Sequence, residues 1–168
     1  DLIGKAFVDI NRQIEPNKDY IFEGGRGGLK SSFISLKVPE LVENNPMMHA
    51  CIVRKQTNTL KDSVYSQIQW AINELGIAGD FDFKVSPLEI TLKKTGQKIY
   101  FRGCDDPVKL KSIKPPFGHV GILWVEELDQ LAGAAELRSV KQSILRGGVD
   151  SYFFASYNPP KSRANWVN

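Results

Sequence analysis

Cysteine is scarce in this chain. Cys51 and Cys104 stand alone, each inside an apolar or strand-like stretch, so neither a disulfide framework nor a cysteine-based metal site has the spacing it needs. A reducing cytoplasm is the compartment this predicts. Histidine is equally sparse: His49 and His119 are far apart and lack clustered acidic or cysteine partners, which argues against a histidine metal centre. No run approaches the ~18 apolar residues of a membrane span. The opening "DLIGKAFVDINRQ" also lacks the basic start and apolar core of a signal peptide. Charge of one sign is not concentrated either. A formal net charge of +3 permits a polyanionic partner but falls short of a dedicated nucleic-acid-binding tail. Internal repeats, low-complexity tracts and a clear domain boundary are absent.

What is present suits one globular domain, since 168 residues with 42% hydrophobic content can bury a single core. The chain starts without Met and stops at "SRANWVN" with no closing element, which points to a piece of something longer. Residues 20–24 ("YIFEG"), 50–55 ("ACIVRK"), 120–127 ("VGILWVEE") and 151–158 ("SYFFASYN") are apolar runs of strand length, suited to a parallel sheet buried on both faces. Helical patterns lie between them: Ser31 to Glu43, Leu60 to Leu75 and Ala134 to Leu145. Strands alternating with helices predict a three-layer α/β domain. In the middle, "LEITLKK" and "KIYFRG" flank Thr95-Gly96 and predict a β-hairpin inserted in that frame, with a two-residue turn.

The segment "EGGRGGLKSS" nearly spells G-x-x-x-x-G-K-[ST], from Gly24 to Ser31, except that Leu29 occupies the last glycine's place. It follows a predicted strand and opens a predicted helix, the context a phosphate-binding loop requires. In such a loop, converging backbone N–H groups and the helix N-terminus attract phosphate, Lys30 reaches the β and γ phosphates, and Ser31 holds Mg²⁺. The alternative is a glycine-rich turn without a ligand. If Leu29 takes helical angles, its side chain is expected to point into the layer between helix and sheet, contributing the ~1.5–3 kcal/mol of a core leucine. Otherwise it is a steric defect in the loop.

About a hundred residues later "GILWVEE" ends a buried strand with two adjacent acids. In a phosphoryl-transfer site Glu126 serves Mg²⁺, directly or through water, and Glu127 polarises the attacking water. A solvated acidic strand end is the plainer reading. Asn158, in "FFASYNPP", stands at the end of another strand, where open α/β sheets bind ligands and where an amide can sense the γ-phosphate. As part of Asn-Pro-Pro it also reads as a simple turn.

Taken in order, "YIFEGGRGGLKSS", "IVRKQTNTLKDSVYSQI", "KIYFRGCDDPVKLKSI", "ILWVEELDQL" and "SYNPP" resemble the ATPase region of the large terminase subunit of tailed bacteriophages, over roughly residues 18–166. The resemblance implies a P-loop NTPase of the additional-strand, catalytic-glutamate type, using ATP and Mg²⁺. It implies a motor that drives double-stranded DNA into a procapsid in the cytoplasm of the infected bacterium, outside the mature virion. The implied partners are the portal protein, the small terminase subunit and further copies in a ring. A C-terminal nuclease domain, absent from these residues, would follow.

Carried across residue by residue, Gly24, Gly25, Arg26, Gly27, Gly28, Leu29, Lys30, Ser31 and Ser32 form the nucleotide loop, with Lys30 and Ser31 as phosphate and Mg²⁺ ligands. Glu126 and Glu127 become the acidic pair, and "SYN" with Asn158 the coupling motif. Arg26 falls where the family often has an arginine that stabilises the transferring phosphoryl group, in cis or toward a neighbour; a solvent-facing turn cation is its ordinary alternative. Arg54 matches a basic position after the second strand and equally suits a surface salt bridge. Two lysine groups are candidates for DNA backbone contact, Lys109, Lys111 and Lys114 in one and Lys93, Lys94 and Lys98 in the other, against plain solvation. Two rival functions stay open: another nucleic-acid-dependent P-loop ATPase of helicase type, and a nucleotide-binding assembly module disabled by Leu29.

Overall fold

The computed structural model describes residues 11, 13–24 and 29–168. Its strands are β1 (Asp19–Glu23), β2 (Met48–Arg54), β3 (Phe81–Val85), β4 (Leu88–Leu92), β5 (Lys98–Gly103), β6 (His119–Glu126) and β7 (Tyr152–Tyr157). They form one sheet in the order β1-β7-β6-β2-β5-β4-β3. The first five in that order run parallel, and β4 and β3 extend the sheet antiparallel. The four expected strands agree with β1, β2, β6 and β7 to within two residues at either end.

Alternation along the central strands builds the layers, because successive side chains leave a strand on opposite faces. Ala50, Ile52, Ile122, Trp124 and Phe154 face α1 (Leu29–Asn44) and α2 (Ser66–Glu74), meeting Phe33, Ile34 and Val38 of the first and Ile68 and Ile72 of the second. Their neighbours Cys51, Val53, Leu123, Val125 and Phe153 face the other way. They meet Leu110 of α3 (Pro107–Lys111) and Val140 and Ile144 of α4 (Ala134–Ile144). Both faces are covered, which is why β2, β6 and β7 read as unbroken apolar runs. Helix α1 is buried on most of its circumference and even buries Lys37, whose ammonium bonds Glu40 at 3.1 Å.

The expected hairpin is present, since β4 and β5 pair antiparallel, and its second strand "KIYFRG" also pairs with β2 in parallel, inside the sheet. Its turn needs correction. The connection from β4 to β5 is the five residues 93–97, not a two-residue turn, and Gly96 takes φ +82° within it. The strand β3 had no apolar run to announce it, because "FDFKV" mixes charges into an edge position and buries only Phe81. The helical pattern from Leu60 is also divided, into a π-turn at Lys61–Tyr65 and then α2.

The longer β4–β5 connection brings Gln97 indoors. Its amide nitrogen donates to Val42 O (2.8 Å), Asn45 O (2.8 Å) and Met48 O (2.6 Å), closing the C-terminal end of α1 against the start of β2. Val42 O and Asn45 O each also accept a backbone N–H, so removing the amide forfeits the net worth of its hydrogen bonds, about 0.5–1.5 kcal/mol each. Gln97→Leu is therefore expected to lower the melting temperature by roughly 5–10 °C, at 2–4 °C per kcal/mol for a domain of this size. A thermal melt within about 2 °C of the parent would refute that role. Close by, buried His49 accepts from the Lys98 N–H at its Nδ1 (2.9 Å), and its Nε2 lies 2.7 Å from Phe117 O. Burial holds its pKa below the ordinary value, so it is a neutral core histidine with both nitrogens taken by backbone.

Candidate active site

The carboxyl ends of β1, β7 and β6 lie side by side, and β7 separates the strand of the glycine loop from the strand of the acidic pair. Gly24, the first loop glycine, donates its N–H to Tyr157 O at 3.2 Å and so ties the loop's start to the end of β7. Gly25, Arg26, Gly27 and Gly28 lie outside the described residues. Leu29 opens α1 in helical conformation, the condition under which its burial was expected, yet it is 49% exposed. It is not buried between helix and sheet, and the leucine burial energy does not apply.

Lys30 turns the other way. It is 7% exposed, and its ammonium donates to Asn158 Oδ1 at 2.7 Å and to Gly24 O at 3.2 Å. Burial lowers its pKa, and the charge of Glu126 works against that shift. Loop lysine and strand-end amide, 128 positions apart, are thus in direct contact. Asn158 is not merely a turn residue. Ser31 and Ser32 follow in the first turn of α1, half-buried.

The three residues of "SYN" are each stitched to a neighbouring element. Ser156 Oγ accepts from the buried Trp124 indole N–H at 2.9 Å, reaching β6. The Tyr157 hydroxyl donates to Glu23 Oε2 at 2.7 Å, reaching β1. Asn158 takes Lys30.

At the end of β6 the two acids differ in kind. Glu126 is largely buried, and desolvation pushes its carboxyl above the ordinary range while the Arg54 charge and hydrogen bond, and Lys30, pull it down. Glu127 is more open, with 43% of its side chain exposed, and has left-handed backbone angles (φ +57°, ψ +50°). A non-glycine residue is uncommon there, and such outliers gather at functional sites. The conformation turns consecutive carboxylates to the same side of the strand end, where a regular strand would send them to opposite faces.

Arg54 meets both acids. From the end of β2 its Nε donates to Glu126 Oε2 at 2.6 Å, its Nη2 to Glu127 Oε1, and its Nη1 to Thr59 O at 3.3 Å. With 12% of its side chain exposed it makes no surface salt bridge, the alternative its position suggested. Neither composition nor spacing marks this pairing. It arises because β2 and β6 are neighbours, with Val53 opposite Val125. A cleft of about 880 Å³ opens beside these groups, lined by Glu127, Asn158, Lys161 and Asn165 among others.

The lysine groups separate by topology. Lys93, Lys94 and Lys98 lie at the start of β5, the edge opposite the site; Lys98 bonds Glu89 at 2.7 Å and Lys93 lies 3.8 Å from Asp82. Lys109 and Lys111 sit on α3, directly after the carboxyl end of β5, on the site's edge of the sheet. Among the described residues no helix is long and apolar enough to cross a membrane.

A mostly parallel sheet with an extra strand between the loop strand and the acidic strand, and with a lysine and two acids at their ends, is the three-layer P-loop NTPase fold of the additional-strand type. The family model for the phage terminase large subunit matches residues 17–168, and the chain belongs to that family. It is 37% identical over 168 residues to the terminase large subunit of Bacillus phage SPP1, covering 96% of this chain and 40% of that protein. It is 30% identical over 133 residues to the PBSX phage terminase large subunit of Bacillus subtilis (strain 168), covering 73% of this chain and 29% of that one. The chain thus spans well under half the length of these relatives. Among solved structures, a variant of the large terminase ATPase domain of Thermus phage P74-26 superposes with a TM-score of 0.65 at 9% identity, covering 95% of this chain and 71% of that one. The N-terminal domain of the DNA packaging ATPase from bacteriophage phi29 gives 0.63 at 11% identity, covering 94% and 79%.

Proposed function

We propose that this chain is the ATPase motor domain of a DNA-packaging terminase, hydrolysing ATP with Mg²⁺ to drive double-stranded DNA into a procapsid. The observation that carries the reading is the convergence of Lys30, Asn158, Glu126 and Glu127 at three adjacent strand ends. Family membership supports it. The work would take place in the infected bacterium's cytoplasm, with the portal, the small terminase subunit and further copies of the chain as partners.

The donor set fits Mg²⁺. A serine hydroxyl and a carboxylate are hard oxygen ligands, and Mg²⁺ is commonly held by one or two carboxylates plus substrate phosphates. Among the described residues no cluster of three or more His, Cys, Asp or Glu could hold a metal without such help. Ser31 and Glu126 would hold the ion, which supplies charge neutralisation at the phosphates.

In this reading Lys30 exchanges neutral acceptors such as Asn158 Oδ1 and Gly24 O for phosphate oxygens, which bind a cation more strongly. Asn158 then loses its donor whenever ATP is present. That competition offers a physical basis for coupling, because Asn158 ends the strand stitched to both β1 and β6. Arg54 takes one oxygen of each acid, which orients the other oxygen of Glu127 toward an attacking water. Arg26 would stabilise charge on the transferring phosphoryl group, and Lys109 and Lys111 are better placed than the hairpin lysines to meet DNA from the site's edge.

The test is phosphate release by the purified chain with ATP, with and without Mg²⁺. Slow hydrolysis that EDTA abolishes is the expected result. ATP binding without turnover at any Mg²⁺ concentration would favour the inactive assembly module instead.

A further inference from the structure

The block "FRGCDDP" (residues 101–107) belongs to the resemblance yet has no role at the nucleotide site. One of its acids is connected to that site. β5 ends at Gly103, in register with Arg54, and there the loops that follow β2 and β5 are clasped together. The Cys104 N–H donates to Arg54 O at 2.9 Å and the Asp105 N–H to Lys55 O at 3.1 Å. Asp105 Oδ1 accepts both the backbone N–H (3.0 Å) and the hydroxyl (2.7 Å) of Thr57. A Cβ on Gly103 would overlap Thr57 Oγ1 and Asp105 Oδ1, so only glycine lets the loops close to this distance.

Thr57 begins the 3-10 turn Thr57–Thr59, which is fixed further by bonds from the Thr59 N–H (3.2 Å) and hydroxyl (2.7 Å) to Gln56 O. The far end of that turn supplies the Thr59 carbonyl that accepts from Arg54 Nη1. A guanidinium is planar, with its donors in fixed directions. Its acceptors come from two segments, Thr59 of the turn and Glu126 and Glu127 at the end of β6, and the Thr59 bond is the contact that ties the plane to the loop after β2, so its loss loosens the guanidinium against the two acids.

We propose that Asp105 is a positioning residue for hydrolysis: by anchoring Thr57 it sets the Thr59 carbonyl, and through it the Arg54 guanidinium that orients Glu126 and Glu127. Asp105 is exposed and touches neither acid. Its neighbour Asp106 has a separate task, capping α3 by accepting the Lys109 N–H at 3.2 Å. The kinetic consequence rests on the ATPase reading; the effect on Arg54 does not.

The experiment compares D105A, D105N, D106A, R54A and the D105A/R54A double variant by steady-state ATP hydrolysis, thermal melting and NMR exchange of the Arg54 Nε–H. D105A is expected to lower kcat about tenfold with KM for ATP within about twofold, the split expected when a transition-state arrangement alone is lost. D105N keeps the acceptor oxygen and recovers most of the loss, while D106A lowers only the melting temperature. In the R54A background D105A adds no further loss, as residues acting through one another are non-additive. Exchange of the Arg54 Nε–H is expected to quicken about tenfold or more in D105A and to stay near the parent in D105N, on the scale of lost hydrogen-bond protection. Unchanged exchange in D105A, or an additive loss in the R54A background, overturns the proposal. Should the parent hydrolyse no ATP, the ATPase reading falls, and the exchange measurement still decides whether Asp105 holds Arg54.

Discussion

Lys30→Ala is expected to eliminate ATP hydrolysis and to weaken ATP binding about tenfold or more, equivalent to ~1.4 kcal/mol. The ammonium is already aimed at the strand ends, held by Asn158 Oδ1 and Gly24 O. Charge-assisted bonds to phosphate are roughly twice as strong as neutral ones, so removing the cation costs the complex more than the free protein. The free protein should tolerate the change, since burial disfavours this ammonium and so lowers its pKa, and losing a disfavoured charge offsets losing its hydrogen bonds. A melting temperature within about 3 °C of the parent is expected, corresponding to ~1 kcal/mol. The combination is diagnostic: turnover absent, affinity reduced, fold intact. Parent-like turnover in Lys30→Ala, measured by phosphate release, would show that this loop is not the nucleotide site.

Glu127→Gln is expected to lower kcat by about 10²–10⁴-fold, the range for losing a positioned general base, while ATP affinity stays within a few-fold. Glutamine has nearly the same shape and retains an oxygen for Arg54 Nη2, so the strand end is preserved and only the carboxylate's basicity is lost. Glu127 is also the more exposed of the two acids and lines the open cleft, whereas Glu126 is held deeper. Single-turnover hydrolysis beside equilibrium binding of a non-hydrolysable analogue separates the two effects. If Glu127→Gln kept full turnover while Glu126→Gln lost it, the roles assigned to the two acids would be reversed.

Strands with both faces buried were legible because burial on both sides leaves a continuous apolar run, and β2, β6 and β7 all show one. The glycine-rich segment and the acidic pair stood out as candidates for a related reason: each is a local arrangement, a few residues in a row at the end of a strand. Edge positions were harder to read. Phe81–Val85 forms a strand through pairing with β4, and one exposed face lets Asp82 and Lys84 interrupt any pattern. Nothing in the neighbourhood of Gln97 revealed that three carbonyls, from α1, β2 and the loop between them, converge on it. Burial of Leu29 was expected if it were helical; it is helical and half-exposed, because helical angles alone do not say what a side chain faces.

By itself the sequence determined the α/β class, the order of its main elements and the residues at the loop and acidic strand ends, because those properties follow from hydrophobic period and from short-range spacing. Only the tertiary structure decided which distant groups meet. Strand order places β7 between β1 and β6, so Asn158 reaches Lys30, and places β2 beside β6, so Arg54 reaches both Glu126 and Glu127. Many strand orders bury the same apolar runs equally well, so hydrophobic pattern cannot choose among them. The choice comes from helix packing and loop closure across the whole sheet, and the polar contacts at the site follow from it.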